Sequence, residues 1–278
     1  MSSPPNPFFD ANAPSGLETP PSAPLPPLAE KQPPIEDPIW TGWEVLALGA
    51  VTVFLAMFLF PLLVTLAAHK WIYPRAPLTE IVRYPGLIVL SQLLSYVVIL
   101  GFMYSIVRRD RTVDFWQAIR WNWPRNAGAY LLLGIVLSFS LQAFAHLLPI
   151  PKNLPIDQFL RTTREAYLLS IFGVTFAPLL EELFFRGFLY PVLARRLGMG
   201  VAVFLTALGF AAIHGAQLMY SWGPVLIIFM VGLALTVVRA RTKSVAASLL
   251  THIAYNGTLS TLMYVATDGF RHLEKLNQ

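Results

Sequence analysis

Five polar side chains of types that can take part in hydrolysis lie within apolar segments of this 278-residue sequence. In the C-terminal apolar segments the acids are limited to the adjacent pair Glu181 and Glu182, the histidines to His214 and His252, and the asparagines to Asn256. Ionisable groups inside a bilayer are costly unless they find partners or face a cavity, so they mark a functional site by default. A glutamate and a histidine on facing helices can hold and deprotonate a water, which is the chemistry of hydrolysis.

The spacing of these residues groups them on shared helix faces. Glu182 and Arg186 are four residues apart and can pair on one face, whereas Glu181 projects about 100° away from Glu182. Arg186 is therefore expected to keep Glu182 ionised and oriented while Glu181 stays free. His252 and Asn256 also lie four apart on one face, from which both could donate hydrogen bonds to the oxyanion of an amide.

Two routes of water activation are open from the residues alone. In the first, Glu181 is the general base and His214 is its orienting partner. In the second, Glu181, His214 and His252 hold Zn²⁺ or another divalent metal ion that activates the water. The sequence has no cysteine, which excludes disulfides, thiolate metal sites and a cysteine nucleophile.

The elements that must position these residues are membrane-spanning helices. Charged residues make up 13% of the chain, against roughly 25% in a soluble domain, and the mean hydropathy is +0.58. A spanning helix needs about 20 apolar residues, and seven runs reach or approach that length. We therefore predict an all-α, multi-pass transmembrane bundle of about seven to eight helices with an intramembrane polar cavity. The runs cover residues 45–68, 86–107, 128–148, 166–193, 200–213, 224–238 and 245–266.

The composition along the chain predicts four parts. Residues 1–39 form a disordered Pro-rich tail, since 12 of the 23 prolines fall in the first 38 residues. Residues 40–165 hold N-terminal transmembrane helices, 166–267 the transmembrane domain that carries the polar residues, and 268–278 a C-terminal tail. Pro61 and Pro178 are expected to kink their helices, which membrane helices tolerate when neighbours bind the freed backbone groups.

The charge distribution predicts an orientation in the membrane. The net charge is +5 and the pI about 9.6, but the basic residues fall in loops, which argues against nucleic-acid binding. Ten basic residues occupy three loops on one side, against six on the other, so that side and the N-terminus are expected to be cytoplasmic. The ten are Arg108, Arg109, Arg111, Arg120, Arg125, Arg195, Arg196, Arg239, Arg241 and Lys243.

Three motifs follow one another on separate apolar segments: EELFFR at 181–186, FAAIH at 210–214 and HIAYN at 252–256. In this order they resemble the E-E-x-x-x-R, F-x-x-x-H and H-x-x-x-N signatures of the CPBP family of intramembrane proteases. That family includes the type II CAAX prenyl proteases and the Abi group of bacteriocin-immunity proteins. RTKS at 241–244 is also similar to the family, and the resemblance covers residues 172–257.

The resemblance implies an endopeptidase embedded in the membrane, with a conical cavity open toward the cytosol. By that likeness Glu181 and His214 activate the water, and His252 and Asn256 stabilise the oxyanion. Membrane lipids and a peptide or protein substrate, in some members prenylated at its C-terminus, are the implied partners. The location that follows is a multi-pass integral membrane protein, in the cell membrane if the source is bacterial.

Plainer interpretations of the same residues stay open. The two glutamates could form a structural ion pair with Arg186, His214 could bond a carbonyl in the core, and His252 with Asn256 could join helices by hydrogen bonds. At the level of the whole protein, the alternatives are a proton-coupled transporter and a non-catalytic immunity or scaffold protein.

Overall fold

The computed structural model describes residues 36–151, 159–160 and 162–277, and these contain helices and loops but no strand. This confirms the predicted all-α class. Apart from its last four residues, the predicted Pro-rich tail lies outside the described part of the chain. The principal helices are α1 (Gly42–Trp71), α2 (Pro85–Val107), α3 (Ala127–Ala145), α4 (Thr163–Leu197), α5 (Met199–His214), α6 (Trp222–Thr242) and α7 (Val245–Ala266).

Five of these helices, α1, α2, α3, α4 and α6, are long and apolar enough to cross a membrane. Helix α5 has 16 residues and is shorter than a full span, and α7 has 22 residues that include a histidine, an asparagine and several hydroxyl side chains. Large apolar side chains such as Trp43, Val97 and Leu132 are exposed on the outside of the bundle, as a lipid-facing surface requires. The chain is an integral membrane protein.

Side-chain caps define where helices begin. Thr41 and Glu44 form a capping box at the start of α1, in which the Thr41 hydroxyl accepts from the Glu44 amide and the Glu44 carboxylate accepts from the Thr41 amide. Between α6 and α7, Lys243 takes a left-handed conformation that ends α6. The Ser244 hydroxyl then accepts from the Ala247 amide and begins α7.

Both prolines that were expected to bend helices lie beside irregular turns. In α1 the chain forms a π-helical turn over Leu55–Leu59 before Pro61, and Gln92 of α2 donates to the freed Ala56 carbonyl at 3.1 Å. Helix α4 is interrupted at Thr175, three residues before Pro178. A second π-helical turn, the 183–189 π turn, follows Glu182 directly.

Small residues bring two pairs of helices into close contact. At Gly134 of α3, an added Cβ would lie 2.2 Å from the Thr251 carbonyl oxygen of α7. At Gly232 of α6, a Cβ would lie 3.1 Å from the Cα of Ala207 in α5. Such contacts allow membrane helices to pack without a hydrophobic driving force. They fix the positions of α6 and α7, which supply several of the site's polar groups.

One feature of the predicted loops is wrong. Four basic residues that were expected in loops lie in helices. Helix α4 continues to Leu197 and includes Arg195 and Arg196, and α6 continues to Thr242 and includes Arg239 and Arg241. Arg239 is buried, with 1% of its surface exposed. Basic residues are favourable in the last turn of a helix, so the end of an apolar run does not mark the end of the helix.

Candidate active site

Glu182 lies at the centre of a fully buried hydrogen-bond network. Its Oε1 accepts from Nη1 of Arg186 at 2.7 Å and from Nδ1 of His252 at 2.8 Å, and its Oε2 accepts from the Ser248 hydroxyl at 2.6 Å. The side chains of Glu182 and Arg186 are both 0% exposed. The ion pair predicted from the four-residue spacing is present, and three donors hold the carboxylate in one orientation.

Arg186 uses the rest of its guanidinium to connect α4 with α6. Its Nη2 donates to the Gly232 carbonyl at 3.1 Å, and its Nε donates to the Thr236 hydroxyl at 3.3 Å. The guanidinium also lies over the ring of Phe210, 4.7 Å from the centroid. A buried charge is tolerated only when it is paired and hydrogen-bonded, and this fork meets both conditions.

Glu181 faces the two histidines of the set. Its Oε1 lies 3.8 Å from Nε2 of His214, and its Oε2 lies 3.7 Å from Nε2 of His252. The side chains of Glu181 and His214 are each 20% exposed, whereas that of His252 is 3% exposed. The structure therefore brings together one reachable acid, one reachable histidine and one buried histidine from α4, α5 and α7.

The other ring nitrogens fix how these histidines can act. His214 Nδ1 donates to the Phe210 carbonyl at 2.8 Å, and His252 Nδ1 donates to the Glu182 carboxylate. A carbonyl or an ionised carboxylate can only accept, so in each neutral ring the proton is on Nδ1 and the lone pair is on Nε2. Two Nε2 lone pairs and the two oxygens of Glu181 thus face one another as acceptors, an arrangement that suits a donor such as water between them.

Asn256 has a different contact from the one its role by resemblance would require. Its Nδ2 donates to the Gly173 carbonyl at 2.8 Å, near the point where α4 is interrupted. The last carbonyls before such an interruption lack partners in their own helix. Asn256 therefore joins α7 to α4, as the interhelical alternative describes, and retains one further N–H for another acceptor.

The donor set can be compared with what a metal ion needs. Two histidines fixed through Nδ1 to a carbonyl and a carboxylate, with Nε2 free, have the chemistry of metal ligands. Within the described residues, however, no group of three or more His, Asp or Glu side chains is arranged to hold a metal ion. Whether Glu181, His214 and His252 bind a metal ion stays a prediction, and the side chains alone have the chemistry to activate a water.

Two residues of this network, Ser248 and Thr236, were missed in the sequence. Ser248 lies four residues before His252, so the helical spacing that groups His252 with Asn256 could have indicated it. Thr236 accepts from Arg186 and donates to the Gly232 carbonyl at 2.7 Å. No motif on α6 pointed to it, because its partner lies 50 residues away in the sequence.

The fold and the site together define a class: a multi-pass helical membrane protein with a buried Glu-Arg-His network and a reachable Glu-His pair beside it. Within that class, residues 163–258 match the family model described as "Type II CAAX prenyl endopeptidase Rce1-like". The match covers α4 to most of α7 and confirms the resemblance seen in the motifs. Comparisons with curated proteins and with solved structures found no match.

Proposed function

We propose that this protein is an intramembrane endopeptidase of the CAAX-protease type, in which Glu181 and His214 activate a water molecule that hydrolyses a peptide bond. The observation that carries the proposal is that four acceptor atoms face one another. They are the two carboxylate oxygens of Glu181 and the Nε2 atoms of His214 and His252. A water there can donate to Glu181 and to His214 and present its oxygen lone pair to a carbonyl carbon. The family match over the same helices supports peptide hydrolysis rather than another reaction of water.

Exposure separates the roles of the two adjacent glutamates. Glu182 is 0% exposed and already accepts three hydrogen bonds, so it is not available to a substrate. Glu181 is 20% exposed and faces both histidines. Glu181 is therefore the general base, and Glu182 orients His252 from behind, as a buried carboxylate orients the histidine of a hydrolytic triad.

The reaction follows from these positions. Glu181 takes a proton from the water as the water oxygen attacks the peptide carbonyl carbon, which gives a tetrahedral intermediate. His252 donates to the oxyanion from Nε2 when its ring carries a second proton, and Glu182 stabilises that positive charge. The remaining N–H of Asn256 is a second donor. The C–N bond breaks when the amide nitrogen receives the proton held by Glu181.

The substrate we propose is a peptide or protein in the membrane with a prenylated C-terminus. This rests on the description of the matching family. The exposed apolar exterior of the bundle would let a lipid-modified chain approach from the bilayer.

The test is product analysis with a matched pair of variants. Detergent-purified protein is incubated with a peptide library that includes farnesylated C-terminal peptides, and products are identified by mass spectrometry. Glu181→Gln and His214→Ala should each lower kcat by at least about a hundredfold, since loss of a general base removes 10²–10⁴-fold of rate. Glu80→Gln makes the same chemical change at an exposed residue and should cleave as wild type.

Each result has a clear meaning. Full activity in folded Glu181→Gln would contradict the assigned base. An absence of products even from wild type would favour transport or partner binding, and ion flux into liposomes would then separate those two.

A second prediction concerns metal dependence. Because Glu181 itself is the proposed base, activity should be unchanged by dialysis against a strong chelator such as 1,10-phenanthroline. Loss of activity that returns on adding Zn²⁺ would instead make Glu181, His214 and His252 metal ligands.

A further inference from the structure

Residues 36–40, which we call the N-terminal strap, are bound along their length to α4 and α6. The Trp40 side chain is 1% exposed and stacks on Phe188 with ring centroids 4.4 Å apart. Asp37 pairs with Arg195 in the last turn of α4 at 2.9 Å. The sequence gives no sign of these contacts, since residues 36–39 of the strap belong to the segment expected to be a disordered tail.

Two side chains from outside α4 donate to main-chain carbonyls within the 183–189 π turn. Trp40 Nε1 donates to the Phe188 carbonyl at 3.0 Å, and Arg239 Nε donates to the Arg186 carbonyl at 3.1 Å. A π turn departs from the regular hydrogen-bond pattern of an α-helix, and each of its carbonyl oxygens can accept a hydrogen bond from another element. Trp40 and Arg239 supply such donors and hold the turn in one conformation.

The position of Arg239 depends on Glu36. Arg239 is 1% exposed, and Glu36 accepts from its Nη1 at 2.9 Å and from its Nη2 at 3.2 Å. Arg120 adds a third bond to the same carboxylate at 2.9 Å. A buried guanidinium without its counter-charge is strongly unfavourable. Without the charge of Glu36, Arg239 would turn toward solvent and release the Arg186 carbonyl.

The π turn is continuous with the residues that do the chemistry. It starts directly after Glu182 and contains Arg186, whose side chain holds the Glu182 carboxylate. A change in the turn therefore alters where Glu181 points relative to His214 and His252.

We propose that Glu36 and Trp40 are positioning residues for Glu181, acting through the 183–189 π turn from outside the membrane-spanning helices. The kinetic part of this proposal rests on the proposed hydrolytic function, whereas its structural part does not. The N-terminal strap thereby belongs to the active centre without touching a substrate.

The experiment compares three variants of the full chain. Glu36→Gln removes the charge but keeps the size, and Trp40→Phe keeps the ring on Phe188 but removes the donor. Asp37→Asn changes a neighbouring acid, 85% exposed, that has no bond to the π turn, and serves as the control. Hydrogen–deuterium exchange is followed in peptides covering the π turn, and kcat and KM are measured on a cleaved peptide.

Glu36→Gln and Trp40→Phe should exchange faster across the π turn than wild type and Asp37→Asn. Their kcat should fall about tenfold or more, with KM within about twofold of wild type, because small misplacement of a catalytic group affects the chemical step. Exchange in the turn that equals wild type in both variants would overturn the proposal, whatever the activity. Faster exchange with unchanged kcat would also overturn it, since the residues would then be structural only. If wild type cleaves nothing, the proposed function fails, faster exchange supports only the structural part of this proposal, and unchanged exchange overturns that part as well.

Discussion

The shape of the Arg186 side chain explains why an arginine stands in this buried network. One planar fork serves the Glu182 carboxylate, the Gly232 carbonyl and the Thr236 hydroxyl at the same time. A lysine carries the same charge as a single point with three donors and cannot reproduce that geometry. Arg186 alone therefore connects α4 to α6 and orients the Glu182 carboxylate.

Replacing Arg186 by lysine should destabilise the protein although the positive charge is conserved. Arg186→Lys should lower the free energy of unfolding by about 1–3 kcal/mol, the usual cost of leaving a buried polar group without its partner. The measurement is thermal unfolding in detergent. Arg164→Lys, at an exposed position in the first turn of α4, is the matched control. An equal effect of the two substitutions would contradict the role of the fork.

Glu36 should make stability depend on pH in a defined direction. Burial alone raises the pKa of its carboxyl, but the hydrogen bonds and charges of Arg239 and Arg120 outweigh burial and hold the pKa below its ordinary value of 4.5. Arg239 also lies over Tyr190, and Asp37 is the neighbouring acid. Because the folded-state pKa is the lower one, the stabilisation is present above pH 4.5 and is lost as the pH falls through the folded-state pKa.

The check is the difference in melting temperature between wild type and Glu36→Gln. It should be present at pH 7 and shrink as the pH is lowered below 4.5. The same pH series of melting temperatures for Asp37→Asn separates the contribution of Glu36 from that of Asp37. A difference that stays constant down to pH 3 would show that the charge of Glu36 does not stabilise the fold.

At the scale of the elements, the close approach of α3 to α7 sets the position of His252. The nearest α7 atom to a Cβ at Gly134 would be the carbonyl oxygen of Thr251, directly before His252, and the Ala254 Cβ would lie 2.7 Å away. Neither atom can move without shifting α7. A helix outside the matched family region thus helps to place a residue of the site.

Even a single methyl group should disturb this contact. Gly134→Ala should destabilise the protein by about 1–3 kcal/mol, as overpacking does, and should also lower the cleavage rate because α7 moves. Gly128→Ala in the same helix is the control, since the nearest atom to its Cβ would be 3.8 Å away. The measurements are the melting temperature and kcat of the two variants. A Gly134→Ala protein that matches Gly128→Ala in both would show that the contact of α3 with α7 does not position His252.

The helices and the contacts within one helix could be predicted from the sequence, whereas the irregular turn and the contacts between distant residues could not. Apolar runs predict the helices, and the four-residue spacing predicts the pair of Glu182 with Arg186, because both follow from helix periodicity. The π turn, the burial of Arg239 and its partner Glu36 were not predicted. They depend on contacts between residues far apart in the chain, which no local pattern contains.

At the scale of the whole molecule, some of the basic residues assigned to one side of the membrane lie together at the start of α1. Arg109 bonds Glu44, Arg120 and Arg239 bond Glu36, and Arg195 bonds Asp37, so four of the ten basic residues contact the stretch around the start of α1. Under the positive-inside rule, we propose that this end faces the cytoplasm.

Cysteine labelling can test the orientation directly, because the chain has no cysteine of its own. Arg75 and Arg111 are both exposed, in the loops after α1 and α2. A membrane-impermeant maleimide applied to intact cells should label Arg75→Cys but label Arg111→Cys only after permeabilisation. The opposite pattern would reverse the proposed orientation.

The bond between Glu36 and Arg239 joins positions 203 residues apart. Glu36 leaves the ribosome before helices α1 to α7, and at about 5–20 residues per second its partner follows about 10–40 s later. Over that interval the strap has no buried charge to bind and the π turn has no Arg239 to hold it. Completion of the site is thereby coupled to biosynthesis. A chain that stops before α6 contains both glutamates but lacks Arg239, Ser248 and His252, which complete the network around them. Hydrolytic capacity would arise only as the last two helices enter the membrane.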